Sequence, residues 1–384
     1  MTTSTTEAPA AKRRGTFHPL SVAEVRRLTD EAVEVTFAVP EELQGQFDYV
    51  PGQYVALRTT LEDQEIRRSY SICAEPKPGE IRVAIKRDIG GLFSNWANDN
   101  LAAGDVLEVM SPAGAFISKH QMTEINHPEQ INTDVEATFV AFAAGSGITP
   151  VISIARTVLA ANANVRFDLV YANKAAMDVM FVEELADLKD KYPTRFALHH
   201  VLSREQRISP LLSGRIDAEK LTSLFDNVLR TDDVDEWFLC GPYELVQLCR
   251  DTLAERGVPA NKIRYELFST GEPAKPQGNI GRPVRVDPSA DNYDITFTLD
   301  GLTGKVASPK HARESVLNAA LRVRPDVPFA CAGGVCGTCR AKVVSGTFTM
   351  EENYALEPDE IERGYVLTCQ THPTSEEITV DYDA

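Results

Sequence analysis

Between residues 16 and 117 the chain runs through short apolar or alternating stretches: AVEVTFAV, YVALRTT, RRSYSIC, EIRVAIKR and DVLEVMSP. Turn signals PGQ, EPKPGE and LAAGD separate them. Alternation with period two at this spacing predicts antiparallel strands that close into a small β-barrel. Only GLFSNWANDN reads as a helix within it. Residues 118–136 are polar and without period, a connector. From 137 to 270 the pattern changes. Strand-like TFVAFAA, RFDLVYAN, RFALHHVLS, EWFLCG and KIRYELF alternate with helix-like PVISIARTVLA and ELVQLCRDTLAERG. Such β-then-α alternation predicts a parallel sheet covered by helices.

The stretch STGEPAKPQGNIGRPVRVDPSADN is rich in Pro, Gly and Ser, and predicts an interdomain linker over 271–291. Beyond it, ITFTLDG, KVAS, ARESVLNAALR, RAKVVSGTFTM, YVLTCQ and ITVDYD make a small α+β domain over 292–384. Residues 1–15 read as a disordered tail. The expected fold is therefore multidomain: an antiparallel barrel, a parallel α/β unit and a small α+β unit. A length of 384 residues suits two or three domains.

Charge and composition narrow the function. A formal charge of −17 repels nucleic acid and anionic lipid, so neither is an expected partner. The polar N-terminus lacks the apolar core of a signal peptide, and no run is long enough to cross a bilayer, so the expected location is the cytoplasm. Thiols there stay reduced, and clustered cysteines point to a metal centre rather than disulfides.

Cys331, Cys336 and Cys339 fall in CAGGVCGTC as C-x4-C-x2-C, with Cys369 some thirty residues on. This is the plant-type [2Fe-2S] spacing. Gly333, Gly334 and Gly337 keep bulky side chains out of the loop, so that backbone N–H groups can approach the sulfurs. A structural zinc site with four cysteine ligands is the alternative. Zinc knuckles bring two close pairs, whereas three thiols here share one loop. Cys73 and Cys249 read as buried small hydrophobes.

Three weaker motifs precede the cysteine loop. GSGITP follows a strand and opens a helix, where Gly145 and Gly147 would let a pyrophosphate approach the free N–H groups of the helix start. A plain tight turn would use the same residues, and Pro150 stands where a third Gly or Ala would fall. In RRSYSI, Arg68 and Tyr70 share a strand face, one suited to a phosphate and the other to a flat heterocycle; a surface arginine beside a strand tyrosine is the alternative. In GGLFSNW, Gly91 and Ser94 are either a second phosphate cradle or an ordinary helix cap.

Read in order, Arg68-Ser69-Tyr70-Ser71, Gly91-x-x-Ser94, Gly145-Ser-Gly-Ile-Thr149-Pro150 and Cys240-Gly241-Pro242 resemble the ferredoxin-NADP reductase superfamily, with a plant-type, β-grasp-like ferredoxin domain at the C-terminus. The resemblance implies that the barrel binds FAD: Arg68 holds a phosphate, Tyr70 lies against the isoalloxazine, Ser71 is near its ring atoms, and Gly91 and Ser94 take the pyrophosphate. It implies that Gly145 to Pro150 and Cys240 to Pro242 bind the nicotinamide nucleotide, with Cys240 beside the reacting ring. Glu266, in YELF, matches an acidic position near the flavin. FACAGGVCGTCRAKVVSG and MEENYALEPDEIERGYVLTCQTHP are similar to the reductases of multicomponent di-iron oxygenases of the phenylacetyl-CoA epoxidase type. Reductases of steroid, aromatic and alkane oxygenases share the architecture.

The chemistry implied is electron splitting. A nicotinamide gives up two electrons as hydride, a [2Fe-2S] centre accepts one at a time, and a flavin can mediate. A redox sensor would not need the hydride port. Ser203 and Arg204, in LSRE after an α/β strand, and Arg215 can pair with a ribose 2′-phosphate, which favours NADPH over NADH; Lys174 reads as solvated surface. Residues 292–384 hold fourteen acidic and eight basic side chains, six of the acids within Glu351–Glu362. That segment is either an oxygenase-docking face or a solvated one.

Overall fold

The computed structural model describes residues 16–119, 135–229, 231, 233–269, 284, 286–287, 291–356 and 358–384. The expected tail, most of the connector and nearly all of the linker lie outside them.

Six antiparallel strands form the first unit: β1 (Phe17–Thr29), β2 (Ala32–Ala38), β3 (Tyr54–Leu61), β4 (Gln64–Ser71), β5 (Glu80–Lys86) and β6 (Val106–Met110), in the order β4-β3-β6-β1-β2-β5. An Ile72–Val83 bridge and the Cys73 N–H donating to the Arg82 carbonyl at 2.9 Å join the two ends into a barrel. Closure leaves few free edges. β1 is absent from the alternating runs of the sequence, because its first half pairs with β6 and its second with β2, so residues such as Pro19 have sheet on one side only. Helix α1 (Leu92–Asn100) buries Phe93 and Ala97 in the barrel core.

The second unit is a parallel sheet of β7 (Ala137–Ala144), β8 (Val165–Asn173), β9 (Phe196–Leu202), β10 (Glu236–Pro242) and β11 (Ile263–Ser269), ordered β11-β10-β7-β8-β9. Helices α2 (Ile148–Ala161), α3 (Val182–Lys191), α4 (Ala218–Asn227) and α5 (Tyr243–Glu255) connect its strands. Strand order reverses between β7 and β10, and a ligand crevice forms at the carboxyl ends of strands at such a reversal. Barrel residues Ala32, Cys73, Ala84 and Phe116 share one apolar core with Phe139, Ile152 and Ile154 of this unit. Ser153 Oγ donates to the Ala74 carbonyl at 2.6 Å. The two units are therefore packed together and do not merely adjoin.

The third unit contains β12 (Asn292–Leu299), β13 (Leu302–Pro309), α6 (Val316–Leu321), β14 (Arg340–Ser345), β15 (Phe348–Met350), α7 (Pro358–Glu362), β16 (Tyr365–Leu367), β17 (Thr371–Pro373) and β18 (Glu377–Asp381). Its five-stranded sheet runs β13-β12-β18-β14-β16, with β12 and β18 parallel. RAKVVSGTFTM does not form one strand. At Gly346 (φ +97°) a Cβ would stand 2.5 Å from the Glu377 carbonyl oxygen, so the chain bends there and β15 pairs with β17 in a separate ribbon. Among the described residues no helix is long and apolar enough to cross a membrane.

Candidate active site

Strand alternation on β4 sorts the RRSYS residues. Arg68 and Tyr70 face one way; the Tyr70 ring packs 5.7 Å from Phe93, which in turn meets Trp96 at 5.7 Å. The Arg68 guanidinium donates to the Arg67 carbonyl at 2.7 Å. Arg67, Ser69 and Ser71 face the other way. Ser69 Oγ is buried with no hydrogen-bond partner, and Ser71 Oγ donates to Glu266 Oε2 at 3.0 Å. Glu266 lies on β11 directly beside Cys240 on β10. Burial pushes the Glu266 carboxyl up to about 7; the Ser71 hydrogen bond opposes this and charge at Cys336 adds to it. Burial likewise pushes the Cys240 thiol well up, so it stays neutral.

At the start of α1, a Cβ on Gly91 would stand 2.6 Å from Ser94 Oγ. That hydroxyl accepts from the Asp88 N–H at 3.1 Å and reaches the Gly91 carbonyl at 3.4 Å, so Ser94 stabilises its own turn, and Gly91 occupies the cap position. A cleft of about 520 Å³ opens here, lined by Leu61, Glu62, Gly91 and Trp96 among others. The orphaned Ser69 hydroxyl and this glycine-floored cleft fit a flavin nucleotide.

At the sheet crevice, Gly145 (φ +54°) adopts a left-handed turn, and a Cβ on Gly147 would stand 2.2 Å from the Cys240 carbonyl oxygen. Only glycine permits this close approach of the GSGITP and CGP segments. Pro150 falls in the first turn of α2, where its missing N–H has no intrahelical partner to lose. Thr149 Oγ1 donates to the Ser146 carbonyl at 3.0 Å. Ser203 and Arg204 donate their backbone N–H groups to the carbonyls of Asn173 and Lys174 at 2.9 and 2.8 Å, which sets the Arg204 side chain out into solvent at the end of β9. Arg215 is 87% exposed and 3.9 Å from Glu244. Two residues not singled out from the sequence join this edge. The buried Asn173 amide makes no well-formed hydrogen bond, and Lys86 Nζ lies 3.6 Å from the position of a Gly145 Cβ. Both are placed to meet a polar ligand at this edge. In the sequence Asn173 is only the last residue of an apolar strand.

The three loop cysteines and Cys369 come together as two pairs, Cys331 with Cys336 and Cys339 with Cys369. One thiol of each pair, Cys336 and Cys369, is held below the usual thiol range by the hydrogen bond its mate donates. The Gly333 and Cys336 N–H groups approach Cys331 Sγ at 3.4 and 3.3 Å, and Gln370 Nε2 approaches Cys369 Sγ at 3.6 Å. Among the described residues no three His, Cys, Asp or Glu converge tightly enough to hold a single ion. Two pairs set apart, ringed by amide donors, fit a two-iron cluster with two thiolates per iron, and fit a four-thiolate zinc ion poorly.

The cluster loop is seated against the barrel. Tyr54 Oη and Thr338 Oγ1 are 2.9 Å apart, the Arg67 guanidinium stacks 4.2 Å from the Phe329 ring, and Tyr354 meets Tyr243 of α5 edge-on at 6.1 Å. The acidic segment is divided by this packing: Glu360 is buried in a pair with Arg340, whereas Glu351, Glu352, Asp359 and Glu362 are exposed.

Residues 19–117 match the oxidoreductase FAD-binding domain, 142–251 the oxidoreductase NAD-binding domain and 297–374 the 2Fe-2S iron-sulfur cluster binding domain. The chain belongs to the oxidoreductases of ferredoxin-NADP reductase type that carry a C-terminal 2Fe-2S domain, and its cofactors are FAD, NAD(P)H and a [2Fe-2S] cluster. One subunit of the 1,2-phenylacetyl-CoA epoxidase of Escherichia coli K12 is 42% identical over 369 residues, 96% of this chain and 98% of the relative. The ferredoxin reductase component of 3-ketosteroid-9-alpha-monooxygenase from Rhodococcus rhodochrous is 33% identical, covering 94% of this chain and 96% of the relative. The solved structure of phthalate dioxygenase reductase shares the fold with a TM-score of 0.55 at 20% identity, covering 95% of this chain and 98% of that one. The steroid-monooxygenase relative is by name a ferredoxin reductase component, and the phthalate structure is that of a dioxygenase reductase.

Proposed function

We propose that this chain draws on NADPH in the cytoplasm and feeds a di-iron oxygenase of the phenylacetyl-CoA epoxidase type, in aerobic phenylacetate degradation. When bound, the FAD takes the electron pair from the nicotinamide and hands electrons singly to the cluster. The chain's own residues set the geometry. Arg68 and the Gly91 turn hold phosphate, Tyr70 supplies a flat apolar wall, and Gly145 to Pro150 with Cys240 to Pro242 orient the nicotinamide. The Glu266 carboxyl, raised by burial to about 7, gains and loses a proton close to physiological pH and accepts from the Ser71 hydroxyl at Oε2. Ser203, Arg204 and Arg215 cradle the 2′-phosphate. Cys331, Cys336, Cys339 and Cys369 ligate the cluster, and the exposed acids of Glu351–Glu362 meet a basic face of the oxygenase.

The observation that carries this reading is the convergence at Glu266: Ser71 of the barrel bonds it, Cys240 of the nucleotide unit neighbours it, and Tyr54, paired with Ser71 across β3 and β4, reaches Thr338 of the cluster loop. The relative at 42% identity favours the epoxidase-type oxygenase. Reconstitution with purified oxygenase subunits tests it. Coupled NADPH oxidation is expected with the phenylacetyl-CoA epoxidase oxygenase, slowing as salt is added. Turnover only with a ketosteroid oxygenase overturns the assignment, and a salt-independent rate overturns the docking face.

A further inference from the structure

Tyr54 opens β3 directly opposite Ser71 on β4, so the two side chains project from the same sheet face. Ser71 reaches Glu266; Tyr54 reaches the cluster loop. Its hydroxyl lies 2.9 Å from Thr338 Oγ1, and Thr338 Oγ1 lies 3.0 Å from Cys336 Sγ. Tyr54 and Thr338 are both more than nine-tenths buried.

Geometry alone leaves the donors of both contacts open, but ligation decides them. A thiolate bound to iron has no proton, so Thr338 must donate to Cys336. A threonine hydroxyl has one proton, so the contact with Tyr54 forms only if the phenol donates. A phenol keeps its proton throughout the physiological range, so Tyr54 is available as the donor. The chain of donation therefore runs from barrel to sulfur.

We propose that Tyr54 is a positioning residue that sets the reduction potential of the cluster through Thr338. Donors to a ligating sulfur stabilise the more negative, reduced cluster and raise its potential. By holding Thr338 in its donating rotamer, the barrel makes the seated cluster loop a better electron acceptor. The residue that does so belongs to the barrel and pairs across β3 and β4 with Ser71, the serine that bonds Glu266.

The test uses the full-length holoprotein, with redox titration followed by the electron paramagnetic resonance of the reduced cluster. Tyr54→Phe is expected to shift the reduced-to-oxidised ratio at fixed potential about three- to tenfold toward oxidised, the span of one net hydrogen bond, tenfold being about 59 mV for one electron. Thr338→Val shifts it at least as far, Thr338→Ser stays near the native value, and the Tyr54→Phe/Thr338→Val pair goes no further than Thr338→Val alone. An unchanged potential in Tyr54→Phe with native iron and FAD content overturns the proposal, as do two shifts that simply add. Should Tyr54→Phe lose its cluster, 3-fluorotyrosine at position 54 keeps the ring and donates more strongly; the potential is expected to rise, and a potential that stays put overturns the proposal.

Discussion

Ser71 donates its hydroxyl proton to Glu266 across 3.0 Å, and this bond joins the end of a barrel strand to the edge strand of the parallel sheet. A fully hydrated carboxyl would titrate in the usual carboxylate range. Here burial raises it to about 7, and the hydroxyl offsets only part of that rise.

Glu266→Gln keeps the shape and the acceptor but cannot titrate. The native rate of flavin reduction is expected to show an inflection near pH 7 that the variant lacks, with a loss of about tenfold or more in that rate. Because the folded pKa is raised, the contribution to stability is fully present below the unfolded pKa and fades as pH rises through about 7. Native stability should fall by at most about 3 kcal/mol over that window, and the variant should be flat there. Rapid-mixing absorbance and denaturant melts at several pH values check both.

Gly147→Ala places a methyl 2.2 Å from the Cys240 carbonyl oxygen, a backbone atom that cannot swing aside. Relief requires separating GSGITP from CGP, at a cost of about 1–3 kcal/mol. Thermal melts should drop accordingly, and KM for the nicotinamide nucleotide should rise while the cluster signal is retained.

Arg204 is exposed at the end of β9 with no ion pair among the described residues, whereas Arg215 already leans on Glu244 at 3.9 Å. Arg204→Ala is expected to raise KM for NADPH about tenfold, the worth of one charge-assisted hydrogen bond, and to leave NADH unaffected. Arg215→Ala should have the smaller effect. Steady-state kinetics with both nucleotides check this; a native preference for NADH contradicts it.

Glu236 and Arg264, both nearly inaccessible, pair at 3.3 Å between β10 and β11, and Ser118 and the Lys119 N–H complete the carboxylate's bonding. Glu236→Ala removes the carboxylate that pairs with the buried guanidinium and accepts from Ser118 and the Lys119 N–H, and should destabilise the protein by about 3–5 kcal/mol. Denaturant unfolding measures it.

Apart from β1, the strands of the barrel and of the parallel sheet are legible in the sequence because their residues are buried on one face or both, which period two or a continuous apolar run records. The cysteine loop is legible for a different reason: four ligands must be cysteine, and spacing survives as text. Tyr54, Arg67 and Thr338 give no such signal. Each reads as an ordinary strand or loop residue, and its role comes from a contact across more than 250 positions of sequence. Asn173 is hidden likewise, since a polar residue ending a strand is unremarkable until its amide is found buried without a well-formed hydrogen bond among the described residues. The division of the acidic segment into an inward Glu360 and the outward Glu351, Glu352, Asp359 and Glu362 depends on Arg340, which composition cannot place.

Electron passage from the nicotinamide through FAD to a two-iron cluster on the seated loop is measured most directly by rapid freezing. Purified, flavin- and iron-replete protein should be mixed anaerobically with NADPH and frozen at intervals for paramagnetic resonance. About two iron and two sulfide per chain are expected, with a reduced-cluster signal that grows in after flavin bleaching. Zinc in place of iron, or a bleached flavin beside a cluster that stays oxidised, would contradict that route.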